Sequence, residues 1–159
     1  MLRQFLVGAT VCMCNIVIHA MLMTAVVQVA QKTSQKITWR PSLHLTMVMI
    51  ATVCILMAGH ALEVMVWALA YAVVGAIQLN TDFVYFAFVN YTTLGYGDIT
   101  PVPRWKLLGP ITAMNGVLLF GWSTAVIFEV LRKAMELRTS DADNAPGASG
   151  FRGTPTASL

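Results

Sequence analysis

Long stretches without charged residues constrain this chain more than any other feature of its sequence. No Asp, Glu, Lys or Arg occurs from Phe5 to Ala30 or from Leu107 to Phe128, and Glu63 is the sole one between Pro41 and Thr81. A helix needs about 20 apolar residues to cross the hydrocarbon core of a bilayer. Each stretch can therefore hold a membrane-spanning helix, and we predict an all-α integral membrane protein.

The composition agrees with a membrane environment. Hydrophobic residues make up 57% of the chain and charged residues 11%, and the mean hydropathy is +0.70. A soluble domain typically carries about 25% charged residues. The net charge of +3 is small, and the basic residues lie next to the apolar stretches, which indicates membrane topology rather than nucleic-acid binding.

Three spans are predicted, at about Gln4–Ala30, Leu43–Leu79 and Trp105–Leu131. A polar linker joins the first two, and Pro41 in its last residues favours a break between helices. A signal peptide is the alternative for the first span, but the apolar run is long and the residues before position 31 make a poor cleavage site.

A half-length helix and a glycine-bearing loop are predicted between the second and third spans. The residues Asn80–Thr81–Asp82 are typical of a helix start, with a capping residue and an acid in the first turn beside the positive end of the helix dipole. The helix that follows, over about Thr81–Thr92, is too short to cross a bilayer. The loop Thr93–Asp98 follows. Non-helical backbone at membrane depth is tolerated where it is buried in protein or lines a polar path. Glycines at 95 and 97 allow backbone angles closed to other residues, so carbonyl groups from several subunits could replace the water shell of a monovalent cation.

The segment Tyr91–Asp98, with the sequence YTTLGYGD, resembles the signature filter of potassium-channel pore domains. The resemblance is to the bacterial type with two helices and a pore loop, covers about Val66–Val130, and leaves the first span as an additional helix. Leu94 stands where Val or Ile is commoner. The resemblance implies a filter that binds K⁺ through backbone carbonyls and one threonine hydroxyl, formed by Thr93, Leu94, Gly95, Tyr96 and Gly97, with the K⁺ sites at the first four.

The resemblance also implies residues that support the filter, namely Asp98, Thr92 and Tyr91. In part of the family an acid four residues before the first filter residue pairs with the aspartate that follows the filter. Val89 occupies that position here, so this pairing cannot form. Asn90 and Tyr91 are the candidate substitutes.

The third span is similar to the inner helix of these pore domains. One residue fewer than a common family spacing separates Asp98 from Gly116, the position of the hinge glycine. Residues at helical spacing share one face of this helix, and we expect that face to line a cavity; ordinary helix packing is the alternative. We hypothesise that Phe128, near the inner end of this helix, forms a hydrophobic gate. The predicted hinge and cavity residues are Gly116, Val117, Phe120, Gly121, Thr124 and Phe128.

Glu63 is an acid deep within the second predicted span, and His60 lies three residues before it. Ionisable residues inside a membrane are functional candidates by default. The two side chains could pair and sense pH. The alternative is a structural role for Glu63 near an interface or in a hydrogen bond to another helix. We expect His19 to be a packed or interfacial residue.

Four filter loops are needed to enclose an ion, so the resemblance implies a homotetramer in a lipid bilayer, with three identical subunits and K⁺ as the partners. The filters of this family open toward the outside, so the second span would run outward and the first and third spans inward. This places the N-terminus outside and the C-terminus in the cytoplasm, and we expect the cell (inner) membrane of a prokaryote. We divide the chain into an N-terminal helix and linker (1–42), a pore domain (43–131) and a disordered tail (132–159).

Other function classes lack support in the sequence. No span has a basic residue at every third position, as a voltage sensor would. Phosphate loops, metal-ligand clusters and nucleophile–base pairs are missing, so we expect neither an enzyme nor a cofactor other than filter K⁺, and no nucleic-acid partner. A poorly selective cation channel and a non-conducting accessory subunit are the alternatives.

Overall fold

The computed structural model describes residues 1–34 and 41–143, and every regular element within these two segments is helical. Three helical regions are long and apolar enough to cross a membrane, over Leu2–Val29, Leu45–Val74 and Pro103–Lys133. The predicted all-α class with three candidate spans is confirmed. Residues 35–40 of the linker, with Lys36 and Arg40, lie outside the described residues, as do residues 144–159 of the tail.

The first two helices are long, follow one another in the sequence and pack against each other. Helix α1 spans Leu2–Ser34 and helix α2 spans Pro41–Val74. Pro41 suits the first position of α2, because its fixed φ is helical and its missing N–H would have no partner there. A Cβ added to Gly59 of α2 would lie 2.7 Å from the Leu22 side chain of α1. The glycine thus allows the two helices to approach closely.

Helix α2 ends at Val74, before the predicted end at Leu79. Gly75 adopts a left-handed φ of 61°. Its N–H donates to the Ala72 carbonyl (3.3 Å), and the N–H of Ala76 donates to the Tyr71 carbonyl (2.9 Å). These two bonds form a Schellman motif, which satisfies the last carbonyls of a helix and is favoured by glycine. The apolar residues after Gly75 resemble those of the span in composition, but they are not part of the helix.

The remaining elements are a short helix, a 3₁₀ turn and a long helix. Helix α3 spans Phe83–Tyr91, a 3₁₀ turn spans Pro103–Trp105, and helix α4 spans Leu108–Asp143. Helix α4 extends past Leu131, so the disorder expected for 132–159 is wrong for residues 132–143. Charged side chains one turn apart support this extension: Arg132 pairs with Glu129 and with Glu136, and Lys133 pairs with Glu129.

Helix α3 lies between α2 and α4, and α1 packs against the same two long helices. One buried cluster surrounds α3 and includes Trp67, Tyr71, Tyr91 and Leu108, with Val7 and other residues of α1 at its margin. A second cluster, centred on Met23, Leu56 and Val126, holds α1, α2 and α4 together farther along the bundle. The carboxyl end of α3 is thus enclosed by all three long helices.

Candidate functional site

Helix α3 begins at a side chain that caps it. The carboxylate of Asp82 accepts hydrogen bonds from the backbone N–H groups of Val84 (2.9 Å) and Tyr85 (3.0 Å). The first N–H groups of a helix have no partner within the helix, so a capping acceptor satisfies them. The cap sets the start of α3 and therefore the register in which the chain leaves the other end of the helix.

Helix α3 ends in a turn that leads directly into the glycine-bearing loop. The N–H of Leu94 donates to the Val89 carbonyl (2.9 Å), and the N–H of Thr93 donates to the Asn90 carbonyl (3.0 Å). This is a second Schellman motif, but its left-handed residue is Thr93, with φ of 62°. Left-handed angles cost a non-glycine residue about 1–2 kcal/mol, and retained strain of this kind is typical of functional positions.

The loop backbone alternates in the sign of φ. Thr93, Gly95 and Gly97 have φ values of 62°, 58° and 79°, and the residues between them are not among the positive-φ residues of the described chain. Alternation of this kind can turn successive peptide groups toward the same side of a chain. The sequence anticipated unusual angles at the two glycines, but not at Thr93.

The side chains of this loop are exposed in the single chain. All residues from Thr92 to Asp98 are exposed, and the exposed fractions of Leu94 and Tyr96 are 54% and 67%. The predicted ion-binding residues thus form one continuous exposed ribbon beside the end of α3. The hydroxyl of Thr92 bonds back to the Phe88 carbonyl (2.7 Å), so this side chain caps its own helix.

Asp98 accepts a hydrogen bond from the hydroxyl of Tyr85 at 2.7 Å. This bond lowers the pKa of Asp98 and raises the pKa of Tyr85. The proposed substitutes for the missing acid make other bonds instead: the Asn90 amide donates to the Phe86 carbonyl (2.8 Å), and Tyr91 donates to Glu63. The partner of Asp98 is therefore Tyr85, one helical turn before Val89, and neither of the two candidates named from the sequence.

Helix α4 presents four of the predicted hinge and cavity residues on an exposed face, whereas the ring of Phe120 packs against His60 and Tyr91, with ring centroids 4.6 and 5.4 Å apart. Val117 and Phe128 are 58% and 67% exposed, and Gly121 and Thr124 are also exposed. The hydroxyl of Thr124 bonds to the carbonyl of Phe120 in its own helix (2.9 Å). Helix α4 is continuous through Gly116, the predicted hinge position.

Gly116 lies elsewhere, at a backbone contact with α3. It is buried, and a Cβ placed on it would lie 2.0 Å from the Tyr91 carbonyl oxygen. No real Cβ approaches an oxygen this closely, so the position requires glycine for packing. Gly121, by contrast, has open space around such a Cβ. The structure therefore distinguishes two glycines that the sequence grouped together.

A cluster of buried polar side chains lies behind the end of α3, and we call it the Glu63 cluster. Glu63 of α2 contacts His60 Nδ1 at 3.0 Å, the Tyr91 hydroxyl, and His19 Nδ1 of α1 at 2.7 Å. His60 Nε2 lies 2.9 Å from the Ser123 hydroxyl of α4. The cluster is defined as Glu63, His60, His19, Tyr91 and Ser123.

The Glu63 cluster adds one partner to those expected from the sequence. Glu63 is fully buried and contacts His60, and it also bonds a neighbouring helix through His19, which was expected to be a packed or interfacial residue. Three groups able to donate hydrogen bonds converge on the Glu63 carboxylate, so this buried group has partners at both of its oxygens. The cluster joins all four helices at one point.

A second group of polar side chains extends the cluster along α1. The amide of Asn15 donates to the Asn115 side-chain oxygen (3.0 Å) and lies 3.3 Å from the Glu63 carbonyl. Trp67 Nε1 donates to the same Asn115 oxygen (3.0 Å). Near the start of α4, Gln4 accepts from the Leu107 N–H (2.8 Å). Through these hydrogen bonds α1 is attached to α2 and to the start of α4.

His19, His60 and Glu63 also have the side-chain types that bind transition metals, and their ligand atoms lie within 4.8 Å of one another. Their separations do not fit a shared ion. Two ligands of a tetrahedral zinc ion at about 2.0 Å are separated by about 3.3 Å, whereas His19 and His60 nitrogens lie 2.7 and 3.0 Å from the carboxylate. These are hydrogen-bond distances.

Comparison with known proteins identifies the class of this chain. A family model described as "Ion channel" matches residues 43–133, which include most of α2, all of α3, the loop and most of α4. Searches of curated proteins and of solved structures return no match. Together with the three candidate spans, the family match makes this an integral membrane protein and implies that several chains assemble to conduct ions. The chain belongs to this ion channel family.

Proposed function

We propose that the protein is one subunit of a potassium-selective tetrameric channel whose filter is Thr93–Gly97. The observation that carries this proposal is the alternation of positive φ at Thr93, Gly95 and Gly97, at the end of a helix too short to span a bilayer. A ribbon of this kind can offer a row of carbonyl oxygens to a dehydrated cation. K⁺ would bind at the carbonyls of Thr93 to Tyr96 and at the Thr93 hydroxyl.

The placement of α3 supports cation conduction. Its carboxyl end, the negative end of the helix dipole, adjoins the first filter residue. Its amino end is capped by Asp82, which satisfies the positive end. Four such helices would direct partial negative charge toward the inner end of the filter and lower the energy of a cation there. K⁺ is the conducted ion, and no other cofactor is proposed.

Exposed surface supports assembly into a homotetramer. The filter ribbon, with Leu94 and Tyr96, lies on an outer surface of the single chain, and non-helical backbone at membrane depth is tolerated only where protein buries it or where it lines a polar path. One chain supplies one ribbon, whereas four are required to enclose an ion. We infer that Tyr96 packs against a neighbouring subunit and braces the filter.

We infer that the exposed face of α4 lines the cavity below the filter. Val117, Gly121, Thr124 and Phe128 share this face and are exposed in the single chain. Phe128 lies farthest from the filter, where four rings could form an apolar constriction. On this proposal the N-terminus is external, and the charged end of α4, with Arg132 and Lys133, is cytoplasmic in the inner membrane of a prokaryote.

The proposal is tested by ion flux through the purified protein in liposomes. We expect a tetramer by native mass spectrometry, K⁺ uptake much faster than Na⁺ uptake, and block by Ba²⁺. Gly97→Ala should abolish uptake, because alanine strains a φ of 79°. Equal K⁺ and Na⁺ uptake would instead indicate a poorly selective cation channel. A folded tetramer without flux would indicate an accessory subunit.

A further inference from the structure

We propose that the Glu63 cluster binds one shared proton and that this proton, through Tyr91, controls conduction by the filter. The inference rests on the proposed function for its effect on K⁺, but the proton site itself stands on the geometry of the cluster. It also assigns a role to the additional helix α1, because His19 is one of the groups that hold the proton.

A count of hydrogen-bond donors and acceptors in the cluster indicates that it holds one additional proton. An ionised Glu63 accepts from His19 Nδ1–H, His60 Nδ1–H and the Tyr91 hydroxyl. If both imidazoles are neutral, their Nε2 atoms are both acceptors. Both face the same hydroxyl, that of Ser123, at 2.9 Å for His60 and 3.4 Å for His19. One hydroxyl donates one hydrogen, so with both imidazole hydrogens on Nδ1 one nitrogen would lack a partner. With the His60 hydrogen on Nε2 instead, the bare Nδ1 of His60 lies 3.0 Å from the carboxylate and 3.0 Å from the Tyr91 hydroxyl, whose one hydrogen cannot be donated to both acceptors.

One added proton removes this deficit. His60 Nε2–H then donates to Ser123, and the Ser123 hydroxyl donates to His19 Nε2, so every polar atom in this chain of bonds has a partner. Placing the added proton on Glu63 instead gives the same number of hydrogen bonds, so we assign the proton to the cluster as a whole. The proton also makes the net charge of the buried cluster zero, and burying an uncompensated charge is costly.

Among the described residues, the contacts of the cluster include no further ionisable group that could supply this proton. Helix α1 contributes His19, α2 contributes His60 and Glu63, and α3 contributes Tyr91. Within its described part, α4 faces the cluster with Ser123 and with the rings of Phe120 and Trp122, which lie 4.6 Å from His60 and 5.3 Å from His19. None of these α4 side chains titrates.

Tyr91 connects the cluster to the filter. It is the last residue of α3, two positions before Thr93, and it is fully buried. Its hydroxyl is fixed by Glu63 and His60, and its carbonyl is fixed against Gly116. Loss of the proton would leave a net negative charge and an unpaired nitrogen behind this residue. We therefore expect alkaline pH to loosen Tyr91 and reduce selective K⁺ flux.

Two measurements on the full-length protein in liposomes test the proposal. The first is K⁺ flux from about pH 5 to about pH 9, the range over which imidazoles respond. Flux should fall about tenfold per pH unit above the midpoint, as loss of a single proton requires. The second is ¹⁵N NMR of the histidine side chains in a His44→Gln background, which leaves His19 and His60 as the labelled residues.

The variants separate proton binding from its effect on the filter. Glu63→Gln should abolish the pH step in flux and the coupled titration of the two histidines. Tyr91→Phe should retain the NMR titration and lose the pH dependence of flux. Thr24→Ala on α1, whose hydroxyl bonds to its own helix, is the control and should leave both unchanged.

The outcomes are distinct for the two proposals. Selective K⁺ flux that does not change with pH, or a Glu63→Gln variant with the wild-type pH profile, would overturn the inference and leave the channel proposal intact. Histidines that titrate independently in the NMR spectra would also overturn it. Absence of K⁺ flux at every pH would refute the channel proposal, and the NMR titration would still decide whether the proton is shared.

Discussion

The carbonyl oxygen of Tyr91 lies 2.0 Å from the position that a Cβ on Gly116 would occupy. The end of α3 therefore rests directly on the backbone of α4, with no side chain between them. This contact sets the distance between α4 and Thr93, the first residue of the proposed filter. It also explains why glycine is needed in the middle of a long helix, where it costs about 1 kcal/mol relative to alanine.

Gly116→Ala should strongly impair the channel, because the Tyr91 carbonyl or the whole of α4 must move to admit the methyl group. We expect loss of most tetramer in detergent and loss of K⁺ flux. Gly121→Ala is the matched control, since its Cβ would meet nothing within 4 Å. It should leave tetramer yield unchanged or slightly increased. Similar yields for the two variants would contradict the packing role of Gly116.

Tyr85→Phe should raise the pKa of Asp98, because the Tyr85 hydroxyl stabilises the ionised carboxylate. A lowered pKa means that this contribution is present at neutral pH and is lost as the pH falls through the pKa of the folded protein. External acid should therefore inhibit the variant at a higher pH than the wild type. In an Asp98→Asn background, which has no carboxylate to titrate, Tyr85→Phe should not shift the inhibition.

Asp82→Ala should destabilise the start of α3 by about 1 kcal/mol, because two backbone N–H groups lose their acceptor. Denaturant-induced unfolding in detergent micelles would measure the change. Asp82→Asn retains a capping oxygen and should cost much less. An equal loss for Asn and Ala would show that the charge matters and the cap does not.

Phe128→Ala should increase basal K⁺ flux, because a wider and less apolar constriction stays hydrated. Phe128 is 67% exposed in the single chain, so the truncation removes little internal packing. Phe128→Leu keeps apolar bulk at the same position and should behave like the wild type. Flux in Phe128→Ala that equals wild-type flux would remove Phe128 from the proposed gate.

Local patterns allowed several features to be predicted from the sequence. The three apolar stretches indicated the spans, and Asn80–Thr81–Asp82 indicated a helix start. The capping side chain is Asp82, however, and α3 begins at Phe83, two residues after the predicted Thr81. The glycines marked the loop. Gly75 carried an equally local signal for the end of α2, but the apolar residues after it obscured the signal, since composition continues where the helix stops.

Contacts between distant segments could not be read from the sequence. Tyr85 and Asp98 are separated by 13 residues and Glu63 and His19 by 44, and nothing local specifies either pair. His60 and Glu63 were recognised as a possible pair because three residues bring them to one face of a helix. The third partner, Tyr91, depends on how α3 packs between α2 and α4. Thr93 gave no signal of its left-handed angles, because threonine rarely adopts them.

The most direct measurement is the reversal potential of single channels in a planar bilayer with unequal K⁺ on the two sides and Na⁺ as the replacing ion. If four Thr93–Gly97 ribbons select K⁺, the reversal potential should follow the K⁺ equilibrium potential as the gradient is changed. A reversal potential that stays near zero, with K⁺ and Na⁺ carrying equal current through the tetramer, would contradict the proposed filter.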